Sequence, residues 1–523
     1  MTVGSIGGTY GLSGSGIDVD MIVKSLMTAQ QAKADVLLQK KTVVEWQKAA
    51  YNTMYDDINT FRNTVFNYKL QSTLSPNKVS SSNTSVATVA ANADAVAVNH
   101  SLVVAQLASG VNLTSSASIT TPAAASKDTI AKQIYGGTAP TGSFKVDISN
   151  GTAKATIRVN TGASINELVS QINSAGINVK ASYDSTLDRF FISTTNTGSA
   201  STINITDSPD NLSGDTSGTD FFANKLLIPL TSTGQNSEIK LDGVSLSQSS
   251  NTFRISGVTY SLIGESINVG PGDIASKLAA GTPTSISVTD DTDTAVASIQ
   301  SLVDSYNKIL AEVNGKVNET RYKDFPPLTD AQKSVMKDTD ITAWEAKSKS
   351  GMLHNDLTLS NLVSTMRNAF TNPVTGSTPP YNSASSIGIT TGNYTEGGKL
   401  TLDTDKLRTA LNANPDVLNQ IFGASGSDSR SKGIAVRLYD GIKTQMDQMA
   451  QTAGTTGTAQ YDNKSSYAKR IIAYNLQISN QADRFDTIQA AYYKKYNAME
   501  VALQQLSSQS SWISSMLSPS SSS

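Results

Sequence analysis

The sequence predicts an α+β multidomain protein: terminal coiled-coil helices and a helical bundle that carry inserted antiparallel β-rich head domains. Three observations lead there. Apolar residues recur on a strict seven-residue spacing at both ends, as Leu37, Val44, Tyr51, Ile58 and Val65, then as Ile471, Ile478, Phe485, Tyr492, Met499, Leu506 and Ile513. Such a repeat keeps one stripe facing a partner as helices wind around each other. Between about 78 and 290 the apolar period is two, the signature of a half-exposed strand. Helix, strands, helix is the chain order, and insertion of a β head into a helical body is its economical reading.

The elements follow in order. Residues 1–16 hold six glycines and read as mobile. Asp18 or Asp20 can cap a helix whose apolar stripe is Val19, Ile22, Val23, Leu26 and Met27. The helical pattern runs to about Leu70, with Met54, Phe61 and Tyr68 at the second heptad position, and Ser75-Pro76-Asn77 ends it. Alternation then marks strands at Phe144/Val146/Ile148, Ala155/Ile157/Val159, Ile239/Leu241 and Tyr260/Leu262. One helix interrupts: Ser164 and Glu167 form a capping-box pattern, Ile165, Leu168, Val169 and Ile172 its stripe, and Gly176 its close. Ser208–Asp220 reads as a long surface loop. Helical spacing returns at Ile299, Leu302, Val303, Tyr306, Ile309, Leu310 and Val313, and stops at Phe325-Pro326-Pro327. Further helices are expected at about 340–370, at 404–412 and, behind Asn414 and Pro415, at 415–422. Another begins at Ile434, and the last runs to Leu517, with its tail beyond Met499 expected to lie against Val19–Met27. Pro519 and serines close the chain.

Composition excludes several classes. Charged residues make up 16% and the net charge is −2, so no global positive field favours nucleic acid or an anionic membrane. Lys33, Lys40, Lys41 and Lys48 read as the solvated face of the first helix. There is no cysteine, which excludes disulfides, thiolate metal sites and a cysteine nucleophile. No run reaches the roughly 18 apolar residues of a membrane span. The first residues lack a secretory leader's basic and apolar regions, so the chain is expected to be cytosolic or exported without a cleaved leader.

Chemistry is equally hard to place. His100 and His354, the two histidines, stand far apart and read as ordinary surface or satisfied side chains. Asp290, Asp291 and Asp293 lack the glycine and glutamate of a calcium loop and suit a helix N-terminus. Gly392 to Gly397-Gly398-Lys399 imitates a phosphate loop, but its spacing is one residue long and Leu400 stands where Ser or Thr is needed. A hairpin turn at Gly397-Gly398 explains it better. No catalytic residue, cofactor site or metal site is expected.

Several segments resemble one family. The run Gly14–Met27 (GSGIDVDMIVKSLM) is similar to the start of the flagellar filament cap, or hook-associated protein 2, family, and is followed by Glu45-Trp46-Gln47. The resemblance continues in Gly351–Phe370, Ser386–Gly392, Gly398–Gly423 and the tail Lys495–Leu517, covering about 14–72 and 240–517. Ser164–Gly176 with the strands after it resembles a small α/β module of flagellins and hook-associated proteins. The family implies an extracellular homo-oligomer, commonly a pentamer, at the distal flagellar tip. It implies that exported flagellin is retained, folds beneath the plate and is inserted. Flagellin, junction proteins and an export chaperone on the C-terminal helix are the implied partners, and export uses the flagellar type III system. The expected division is a leg domain (1–38, 490–523), a helical bundle (39–72, 293–489), a β-rich head (73–115, 234–292) and an outer head (116–233). A junction protein, flagellin or a cell-surface adhesin with a β-rich head are the other readings; an enzyme is the least favoured.

Overall fold

The computed structural model describes residues 18–92, 94–121, 128–137, 142–208, 220–270, 272–377, 379–392, 396–458 and 461–517. The N-terminal glycines, most of the Ser208–Asp220 loop and the serine tail lie outside these residues. Helices of ten residues or more are α1 (Val19–Asn67), α2 (Ile165–Ser174), α3 (Thr292–Asn318) and α4 (Asp338–Lys349). Then come α5 (Leu357–Thr371), α6 (Thr404–Ala413), α7 (Ile434–Ala453) and α8 (Ser466–Leu517). The chain divides into two compact units, Met1–Leu74 with Asp293–Ser523, and Ser75–Thr292.

The first unit is helical. Asp18 starts α1 by accepting the Met21 N–H at 2.9 Å, and 49 residues then rise about 74 Å. Both heptad positions of its second half, Tyr51, Met54, Ile58, Phe61, Val65 and Tyr68, are buried with the stripe of α3 and with α5 and α7. Tyr306 sits edge-on to Phe61 and Phe370, with centroids 6.3 and 5.1 Å away, a geometry that adds to burial.

Two sequence expectations need correction here. The helix expected over 340–370 is broken: α4 ends at Lys349 and α5 starts at Leu357. Gly351 lies between them at φ +66°, where an added Cβ would stand 2.7 Å from the Arg321 backbone nitrogen. Arg321 donates to the Ser348 and Ser350 carbonyls at 2.6 and 3.0 Å, and Asp356 restarts the helix by accepting the Leu359 N–H at 3.0 Å. The segment 415–422 is not a regular helix either, since Asn419–Gly423 is a π turn. Gly397 and Gly398 both adopt positive φ between the antiparallel strands Ile389–Thr391 and Leu400–Leu402, as a hairpin requires.

The second unit is β-rich. Its first strands are β1 (Asn77–Ser81), β2 (Ala87–Ala91), β3 (Asn99–Gln106), β4 (Asn112–Thr114), β5 (Ser143–Ser149), β6 (Lys154–Asn160) and β7 (Val179–Asp184). The rest are β8 (Arg189–Thr194), β9 (Thr202–Asp207), β10 (Thr231–Thr233), β11 (Ser237–Leu241), β12 (Val244–Gln248), β13 (Thr252–Ile255), β14 (Val258–Leu262) and β15 (Thr284–Asp290). Antiparallel sheets β1-β15-β3-β11-β12 and β13-β14-β2 enclose Leu102, Val104, Ile239, Leu241, Tyr260 and Ile286. Sheets β10-β9-β5-β6 and β4-β8-β7 share a separate core with α2, built on Phe144, Val146, Ile148, Leu168, Phe190 and Phe222. The alternating residues are thus inward-facing, and Ser164 caps α2 by accepting the Glu167 N–H at 3.2 Å.

Candidate assembly surface

The candidate surface is built by α1 and α8, which run antiparallel. Lys48 donates to Asp462 at 2.8 Å just before α8 begins. Further along, Tyr51 meets Tyr467 edge-on at 5.8 Å, Gln481 donates to Gln30 at 3.4 Å, and Tyr493 hydrogen-bonds Asp20. From Tyr51 through Gln30 to Asp20 the contacts step back along α1 as they step forward along α8 from Tyr467 through Gln481 to Tyr493.

Lys33 and Lys40 are exposed, as a solvated face requires, but Lys48 departs from that expectation. Its side chain is 13% exposed and that of Asp462 6%, so the ion pair is largely shielded from water. Burial pushes the Asp462 carboxyl up, but Lys48, the Ser465 hydroxyl and the Ser465 and Lys464 N–H groups outweigh it and hold it well below the usual carboxylate range. Nearby, the Tyr51 hydroxyl donates to Asp356; burial first and that bond second raise the Tyr51 phenol above its ordinary range.

Heptad residues fall into three groups. Val44, Tyr51, Ile58 and Val65 are buried, while Leu37, Ile471, Ile478, Phe485 and Tyr492 are half-buried. Met499, Leu506 and Ile513 are 41, 61 and 50% exposed. At the start of α1, Val19, Val23 and Met27 pack against Phe485, Ile488, Tyr492, Tyr493 and Tyr496. This corrects the expected register, because the partner of Val19–Met27 ends before Met499. The ion pair at Lys48 fixes the offset, and α1 starts at Val19 while α8 continues to Leu517. About 20 residues, or roughly 30 Å of helix, extend past Tyr496. Val501, Trp512, Met516 and Leu517 are exposed there too. Ile488, Tyr493 and Tyr496 lie off the seven-residue series; the signal in the sequence was the (i, i+3) spacing of Ile488 from Phe485 and of Tyr496 from Tyr493, and the (i, i+4) spacing of Tyr496 from Tyr492.

The other candidates do not converge. His100 is buried with its Nδ1 2.7 Å from Asp242, and His354 is exposed. Asp293 lies in the first turn of α3 and pairs with Arg408. Among the described residues no three His, Asp or Glu side chains gather as a metal site, and no helix is long and apolar enough to cross a membrane.

Comparison with known proteins defines the class. The family description "Flagellar hook-associated protein 2 N-terminus" matches residues 15–111 and "Flagellar hook-associated protein 2 C-terminus" residues 234–508. The hook-associated protein 2 of Halalkalibacterium halodurans is 27% identical over 95% of this chain and 97% of its own. That of Escherichia coli K12 is 25% identical over 96% of each. The crystal structure of the D1-D2-D3 domains of the Escherichia coli flagellar cap protein FliD shares the fold, with a TM-score of 0.53 at 19% identity, covering 82% of this chain and 99% of that one. The protein is therefore a flagellum-associated structural component. It belongs to the flagellar hook-associated protein 2 family.

Proposed function

We propose that this chain is the cap at the distal tip of the flagellar filament, where a pentameric homo-oligomer retains exported flagellin and promotes its folding and insertion. One observation carries the reading: α8 extends an apolar, charge-free end past the start of its own partner helix. From Val501 to Leu517 no Asp, Glu, Lys or Arg occurs, and Leu506, Trp512, Ile513, Met516 and Leu517 are exposed. In water this surface is costly, at roughly 1.5–3 kcal/mol for each large apolar side chain left unburied. Neighbouring subunits and the helices of filament or junction proteins supply matching apolar surface. Before export, the same end suits a chaperone.

The proposed division is a leg domain (1–38, 490–523), a bundle (39–72, 293–489), a β-rich head (73–115, 234–292) and an outer head (116–233). Separate groups of buried side chains support it: Val19–Met27 with α8, the helical core around Tyr306, the core around Tyr260 and that around Phe190. Delivery outside the cell through the flagellar type III route completes the reading. A strain lacking this protein should shed flagellin monomers into the medium and fail to swim. Normal filaments in that strain would contradict the proposal.

A further inference from the structure

Sheet edges in the β-rich unit differ in how they are protected. An exposed edge strand is a template for another strand, and proteins blunt it with charge, shortness or cover. Here β1 carries Lys78, β6 carries Lys154 and Arg158, β7 carries Lys180 and Asp184, and β13 carries Arg254. Strands β4 and β10 are three residues long, and β2, though uncharged, lies against β1. Edge strand β12, Val244-Ser245-Leu246-Ser247-Gln248, is five residues long and carries no charge, and the cover that Thr197 gives by donating to the Ser249 carbonyl at 2.7 Å lies just beyond its end.

Its register shows what could cover it. Leu241 pairs with Val244 across the Asp242-Gly243 turn, and Ile239 with Leu246. Hydrogen-bonded pairs alternate along an antiparallel ladder, so the backbone groups of Ser245 and Ser247 point away from β11. Among the described residues these backbone groups meet no hydrogen-bond partner, and both side chains are exposed. The turn is anchored on β3: Asp242 accepts the Ser101 N–H at 2.8 Å, lies 2.7 Å from His100 Nδ1, and donates its own N–H to the Ser101 carbonyl at 2.9 Å. The edge is therefore held in place before any partner arrives.

We propose that β12 pairs antiparallel with β12 of a second copy of this chain. The Ser-Leu-Ser centre is palindromic, so Leu246 meets Leu246 of the other copy and Ser245 meets Ser247. Both outward-facing residues then exchange their N–H and C=O bonds with an equivalent residue, and no like charges oppose. Such a two-fold contact is satisfied by two chains and closes there, whereas a head-to-tail contact would continue. It does not involve the α8 end, and because neighbours in a five-membered ring meet head-to-tail, this contact joins free chains or two separate rings, not ring neighbours.

The absence of cysteine makes the test direct. Opposed residues at a non-hydrogen-bonded position lie about 4.5 Å apart at Cα, within disulfide reach, whereas the two copies of residue 244 would be about 14 Å apart. Full-length Leu246→Cys should form disulfide dimers on mild oxidation at least ten times faster than Val244→Cys, although Val244 is 59% exposed. Adding Ser245→Lys should abolish that advantage, and adding Leu506→Asp with Ile513→Asp should preserve it. Should Leu246→Cys not fold, mixed Ser245→Cys and Ser247→Cys chains report the same register, the mixed disulfide forming in preference to either self-disulfide. Equal rates at 246 and 244, indifference to Ser245→Lys, or loss of the advantage with the α8 variant would each overturn the proposal.

Discussion

Lys48 and Asp462 set the register of the two terminal helices, and their chemistry gives a pH-dependent prediction. Asp462 is held below its ordinary range when folded, so the unfolded chain binds the extra proton in acid and stability rises with pH. The contribution is complete above the unfolded value of about 3.9 and is lost as pH falls below it. Lys48→Met leaves the carboxylate buried without its cation and should cost about 3 kcal/mol at pH 7. Denaturant unfolding of both proteins measures this, and the gap should narrow below about pH 4. A constant gap down to pH 2 would show that Lys48 contributes packing alone. In the sequence Lys48 is one of the lysines read as a solvated helix face; its partner, 414 positions away, has no local signature. Gly351 is similar, because a glycine in the motif Gly351–Phe370 is visible, but the Arg321 backbone that excludes its Cβ is not.

Heptad spacing identified which face of each long helix is apolar, and Tyr51, Ile58 and Val65 lie in the core. It did not identify what covers that face. The same repeat runs unchanged from Phe485 through Ile513, yet cover from Val19–Met27 stops near Tyr496. That limit is set by where α1 begins relative to the Lys48 anchor, a tertiary fact. Strand alternation was legible for the same reason as the heptads, since period two reports one buried face, while edge order depends on long-range pairing. The π turn at Asn419–Gly423 escaped because its residues suit an α-helix locally. The contacts of Val19, Val23 and Met27 form a group apart from the helical core. Removing residues 1–38 and 490–523 should therefore leave cooperative unfolding intact. Circular dichroism during thermal melting would show it, and a broad, non-cooperative melt would place the termini in the main core.

At the scale of the molecule, each of the two units has its own buried apolar residues, while the end of α8 keeps large apolar residues in water. That contrast motivates an assembly reading: folding is satisfied within the chain, and the remaining apolar surface is satisfied by partners. The central claim is that Leu506 and Ile513 make contacts that hold the cap in place. A carboxylate in such a seam costs several kcal/mol in each subunit, repeated in every copy, while the cores around Tyr306, Phe190 and Tyr260 are untouched. Electron microscopy of filament tips in a strain carrying Leu506→Asp with Ile513→Asp tests this most directly. The account predicts bare or absent filaments beside capped wild-type ones, with flagellin in the medium. Capped filaments of wild-type length in the variant strain would contradict it.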